Sequence, residues 1–136
     1  MSFIFTNDWE LSEVEYLIYT KEFLIEAANS LSNLHENEVN INDRLKTKII
    51  LQEEMSTSLN EYIFEYFSTN GSFINLKYLV IIGDETVISP LYYLGVPCDD
   101  CFSSTNVNDP NPKLITGRIL SSNLVDANTI IDNTIN

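Results

Sequence analysis

Basic side chains are scarce in this chain. Seven Lys and Arg stand against twenty Asp and Glu over 136 residues, a formal charge of −13. Such a surface repels phosphate backbones and anionic lipid, which argues against nucleic-acid and membrane partners. It favours cations, calcium among them, as ligands. Glycine and proline are sparse, four of each, too few for a collagenous or low-complexity chain. No apolar run approaches the roughly eighteen residues of a membrane span. The opening residues 1–9 have neither a basic flank nor a long apolar run, so no signal peptide is visible there, and export is left to a longer parent chain. Gly-x-Gly-x-x-Gly and Walker phrases are both missing, so nucleotide binding has no positive support. Two cysteines, Cys98 and Cys101, do not make a disulfide framework. The single histidine, His35, sits among Glu36 and Glu38 near a helix end and reads as a surface residue.

What is present is a globular profile, 44% hydrophobic and 20% charged, enough for one domain over residues 1–136 with 1–15 its least predictable part. Residues 16–19 form a β-prone run. From Lys21 the period changes, and Phe23, Leu24, Ala27, Ala28, Leu31 and Leu34 mark a helical face that breaks over 37–42. Residues 46–51 predict a second strand. Ser58 and Glu61 have capping-box spacing, followed by Leu59, Tyr62, Ile63, Tyr66 and Phe67 on one face, with Asn70-Gly71 as the stop. The unbroken run 78–82 predicts a central strand covered on both faces. A long loop over 85–113 follows, then a strand at 114–119. Ser122-Asn123 caps a last helix whose inner face carries Leu124, Ala127, Ile131 and Ile135. The order β-α-β-α-β-loop-β-α implies an α/β fold, a mostly parallel sheet with helices on both faces.

In such a sheet, functional groups collect at the carboxyl ends of the strands. Asp84 ends the central run, Asp99 and Asp100 lie in the following loop, and Arg118 ends the next strand. The three carboxylates can form an oxygen-rich calcium site. Alternatively Asp99 and Asp100 cap a turn and Arg118, rare in this acidic chain, pairs with one of the three. For Cys98 and Cys101, zinc lacks ligands and a thioredoxin-type pair lacks the helix that should follow it. A nucleophile lacks a nearby base, since His35 is on another element. A local disulfide stays open, and two partly buried loop thiols are the leading expectation.

Four phrases in order resemble the N-terminal part of the catalytic domain of gingipain-like cysteine peptidases, peptidase family C25. They are Tyr16-Leu-Ile-Tyr-Thr20, Arg44-Leu-Lys-Thr-Lys-Ile49, Leu76-Lys-Tyr-Leu-Val-Ile-Ile-Gly-Asp84, and Pro97-Cys-Asp-Asp-Cys-Phe102 followed by Ile115-Thr-Gly-Arg118. Together they cover residues 15–136. Two positions depart from the family: Cys98 stands where Ser or Thr is usual, and Cys101 where an aromatic residue is usual. The resemblance implies a caspase-like, Rossmann-like three-layer fold. In a full-length parent it implies peptide hydrolysis by a cysteine that a histidine activates. Both catalytic groups would lie on later strands, beyond Asn136, so no catalytic residue transfers to this chain. Extracellular or cell-surface location and calcium binding are also implied. Expected partners are the remainder of the peptidase domain, and a second copy through an exposed sheet edge. Two competing expectations are a stand-alone acidic module that binds a cation or small ligand at the strand ends, and a thiol redox protein.

Overall fold

A computed structural model describes residues 9–69, 72–104 and 113–135. The apolar runs become β1 (Tyr16–Thr20), β2 (Thr47–Leu51), and, after two minor strands β3 (Ser68–Thr69) and β4 (Ser72–Phe73), β5 (Tyr78–Ile82). The helices are α1 (Ile25–Glu36) and α2 (Leu59–Phe67). Beyond β5 come β6 (Leu91–Tyr93), β7 (Val96–Cys98), β8 (Ile115–Ile119) and α3 (Leu124–Ile135). Four strands form one parallel sheet in the order β2-β1-β5-β8, with Tyr16 opposite both Thr47 and Tyr78, and Tyr78 opposite Ile115. β5 is thus interior. The chain steps from β1 to β2, then back across β1 to β5. Right-handed crossovers therefore put α1 and α2 on opposite faces. The segment joining β5 to β8 packs against α2, and α3 returns to lie against α1.

The core follows from the same runs. Leu17, Ile18, Leu79, Ile81 and Ile82 are fully buried in the two central strands, under Ala27, Ala28 and Ile131 from the α1/α3 layer and Leu59, Ile63 and Phe67 from α2. At about 25 cal/mol per Å² of apolar surface removed from water, this layer supplies the main drive to fold. Ser58 Oγ accepts from Glu61 N–H at 3.2 Å, the half of the capping box that holds the helix start. Asn123 Oδ1 accepts from Asp126 N–H at 2.8 Å and caps α3 in the same way.

Several expectations change. The first helix begins as a 3₁₀ turn, Glu22–Leu24, before α1, which leaves Phe23 half exposed. The segment expected as loop contains the β6–β7 hairpin and a 3₁₀ turn, Asp99–Ser103. Its two-residue turn is Leu94-Gly95, both at positive φ (52° and 80°). A leucine there is unlike the Asn-Gly or Asp-Gly that announces such turns. The expected Asn70-Gly71 stop lies outside the described residues, as does the side chain of Ile135.

Candidate functional site

The carboxyl rim of the sheet is built around Arg118. Its backbone belongs to β8, and its side chain reaches back over the end of β5. Nε and Nη2 donate to the two oxygens of Asp99 at 2.7 and 2.6 Å, and Nη1 donates to the carbonyls of Ile88, Gly83 and Asp84 at 2.7, 2.9 and 3.2 Å. The arginine side chain is 9% exposed and that of Asp99 27%. A planar fork matched to a carboxylate, with a further nitrogen shared among carbonyls of the turn after β5, is a geometry that a lysine could not reproduce.

Gly83 makes this approach possible. Its φ is +136°, and an added Cβ would sit 2.8 Å from Val87 Cγ1, so the chain can turn sharply over β8 only without a side chain. Asp84 then caps the turn it begins. Its Oδ1 accepts from Thr86 Oγ1 at 2.5 Å and from the N–H groups of Thr86 and Val87 at 2.9 and 3.2 Å. The Thr86 hydroxyl foremost, then those N–H groups and the nearby Arg118 charge, hold the Asp84 carboxyl below the usual carboxylate range.

The rim thus gathers Asp84, Asp99 and Arg118, and only Asp99 meets the arginine through its carboxylate. Asp100 is exposed on the same 3₁₀ turn. Among the described residues, no cluster of three acidic, histidine or cysteine side chains is placed to hold a metal ion.

The cysteines differ from expectation. Cys98 and Cys101 are bonded to each other and are not two free thiols. The bridge closes around Asp99 and Asp100 and so fixes the turn that presents Asp99 to Arg118. Asn60, in the first turn of α2, holds the same turn from the other side. Its Nδ2 donates to Phe102 O at 2.7 Å, with Ser104 O and Cys101 O at 3.3 and 3.4 Å. Ser103 Oγ accepts from the N–H groups of Lys113 and Leu114, both at 3.2 Å. Neither Asn60 nor Ser103 carries a sequence signal, because their partners are backbone groups 41–44 residues away for Asn60 and 10–11 residues away for Ser103.

His35 is also not the surface residue expected. It sits in the last turn of α1 with its ring centroid 4.3 Å from that of Tyr16. Burial lowers its pKa, against the opposing charge of Glu38. Tyr16 opens β1, so His35 marks the amino end of the sheet, and the disulfide lies at the carboxyl rim.

Strand order reverses between β1 and β5, the position where doubly wound sheets bind ligands. Here Thr20 Oγ1 donates to Ile82 O at 2.7 Å and ties the two strand ends together. Beside them lies a cleft of about 270 Å³ whose wall includes Tyr19, Gln52, Ser58, Ile88, Ser89 and Phe102. Burial raises the Tyr19 phenol, partly offset by a hydrogen bond from Gln52. The lining can form hydrogen bonds but carries no acid, base or nucleophile suited to neutral pH.

The fold and rim define a doubly wound α/β domain whose carboxyl edge is braced by a partly buried Arg–Asp clamp and a local disulfide. The model of peptidase family C25 matches residues 10–136, and the chain belongs to that family. No curated protein sequence matches it. Among solved structures, a complex of the pro- and mature domains of RgpB from Porphyromonas gingivalis superposes with a TM-score of 0.70 at 17% identity, over 89% of this chain and 28% of that one. The crystal structure of the Arg-specific cysteine proteinase gingipain R superposes with a TM-score of 0.69 at 17% identity, over 96% and 29%. At such identity the likeness is one of fold. The chain spans less than a third of the length of either.

Proposed function

We propose that this chain is the non-catalytic, amino-terminal subdomain of a gingipain-like cysteine endopeptidase. It scaffolds a Cys–His site carried on strands that continue the sheet beyond β8. The observation that carries this reading is the family match over residues 10–136 in a chain covering only 28–29% of the solved structures it resembles.

Three features of the site support it. Both cysteines are occupied in a disulfide, so neither offers the thiolate that attack on a scissile carbonyl requires. His35 packs its ring against Tyr16 at the opposite end of the sheet, out of reach of the rim. β8 forms one border of the four-stranded sheet, and a further strand can pair there. In this reading the Arg118–Asp99 clamp keeps that border rigid, and the β6–β7 hairpin above it walls the substrate cleft. The disulfide favours an oxidising compartment, hence export.

The test is an assay of the purified 136-residue chain on casein and on fluorogenic peptides. The expected result is no turnover, with activity appearing only when the polypeptide that completes the sheet is supplied in the same chain. Hydrolysis by the 136-residue chain alone, lost in Cys98→Ser or Cys101→Ser, would overturn the assignment.

A further inference from the structure

We propose that the free edge of β2 is a docking groove for an extended peptide segment that carries a basic side chain. The edge lies at the opposite border of the sheet from β8, so the inference stands apart from the peptidase reading.

The parallel register decides which backbone groups face outward. Tyr16 N–H donates to Lys46 O at 3.1 Å, and Tyr16 lies opposite Thr47. In a parallel pair this turns the N–H and C=O of Lys46, Lys48 and Ile50 toward β1, and those of Thr47, Ile49 and Leu51 away from the sheet. Thr47 N–H is already closed off by Glu36 Oε2 at 3.3 Å. No hydrogen bond from the described residues covers the N–H and C=O of Ile49 or the N–H of Leu51. Proteins usually blunt such an edge. Among the described residues, this one is sealed only at its amino end.

Alongside those groups runs a groove of about 340 Å³ between β2 and α2. Its walls include Met55, Tyr62 and Tyr66, and it is rimmed by Glu54, Glu65 and Lys48. The two tyrosine rings lie 4.8 Å apart. An extended segment laid on the edge would satisfy the Ile49 and Leu51 groups, and its alternate side chains would fall on the α2 side. There an arginine or lysine meets aromatic faces for its stem and two exposed carboxylates for its charge, against one ammonium. The whole chain carries −13, which draws a cationic segment in and repels a second copy of this chain from the same edge.

The experiment uses the 136-residue chain and a fluorescein-labelled probe, Thr-Val-Thr-Arg-Thr-Val-Thr, read by anisotropy. The expected result is saturable, salt-sensitive binding. Gln at both Glu54 and Glu65 should weaken it about two- to fivefold, the range of exposed ion pairs, and Lys48→Gln should strengthen it by a similar factor. Glu54 and Glu65 are exposed and Lys48 is half-buried at the sheet edge, so the variants keep the fold. The bound peptide should slow amide exchange at Ile49 and Leu51, and N-methylation of the probe at alternate positions should abolish binding. The proposal fails if the probe does not bind, or if a Glu-for-Arg probe binds equally well. It also fails if the protection appears on β8 in place of β2.

Discussion

Arg118 joins three separate stretches of chain: β8, the turn after β5 and the 3₁₀ turn that carries Asp99. Arg118→Met would leave Asp99 half-buried without its partner and remove a shared donor from three carbonyls. A loss of about 2–4 kcal/mol is expected, less than for a fully enclosed pair because Asp99 retains some contact with water. Arg118→Lys should recover little, since an ammonium cannot reproduce the fork. Urea denaturation at constant m-value measures both, and an unchanged midpoint for Arg118→Met would show that the clamp does not brace the rim. Gly83→Ala tests the turn beneath it. With φ at +136° and Val87 in the way, about 1–3 kcal/mol of destabilisation is expected, read as a lowered Tm. His35 adds a pH dependence. Its folded pKa lies below the ordinary 6.5, so the unfolded chain binds the proton more readily. Its contribution is therefore full above that value and is lost as pH falls toward the folded pKa. Asp84, also depressed, gives way only in acid, below 3.8. A His35→Phe variant should lose the dependence that sets in below pH 6.5 and keep the acid limb. Identical pH–stability curves for the two proteins would rule out His35 as its source.

At the scale of elements, the segment between β5 and β8 is where the sequence was least legible. The four principal strands and three helices were readable because apolar runs and 3.6-residue periods are long enough to repeat. The β6–β7 hairpin has strands of three residues, a proline at position 97 inside one of them and leucine in its turn, so neither period nor turn chemistry announces it. The spacing of Cys98 and Cys101 admits a bridge but favours two loop thiols, and only the folded turn brings the two together. At the rim, the paired arginine was open to inference because an isolated basic residue at a strand end needs a carboxylate. Which of three aspartates would meet it was not, since that depends on the 3₁₀ turn. The energetic role of the bridge can be measured. A loop of four residues gives about 2 kcal/mol in the chain-entropy account. Replacing both cysteines with serine should lower stability by about that much and speed amide exchange from residue 99 to 104, leaving β1 and β2 unaffected. Uniform acceleration across the sheet would instead mean that the bridge supports the whole domain.

For the molecule as a whole, two opposing terms act on association. β8 is a sheet border, and apolar side chains near it stay in water: Ile115 and Leu120 are each 69% exposed and Val125 of α3 74%. An open parallel edge flanked by such residues tends to pair with whatever strand it meets, a second copy included. Against this stands the charge of −13, which two copies must bring together. Charge repulsion is screened over about 10 Å at 0.1 M salt and about 3 Å at 1 M, whereas burial of the apolar edge is not weakened by salt. Self-association of the 136-residue chain should therefore be slight in dilute buffer and grow with ionic strength and concentration. Light scattering over a salt series reads it directly. Ile115→Lys should suppress the salt-induced growth, because it places charge on the border itself. Glu65→Gln, on the β2 side, should leave the growth in place. A mass that stays monomeric at high concentration and high salt would show that β8 is not an adhesive border, and would remove this support for a sheet that continues past it.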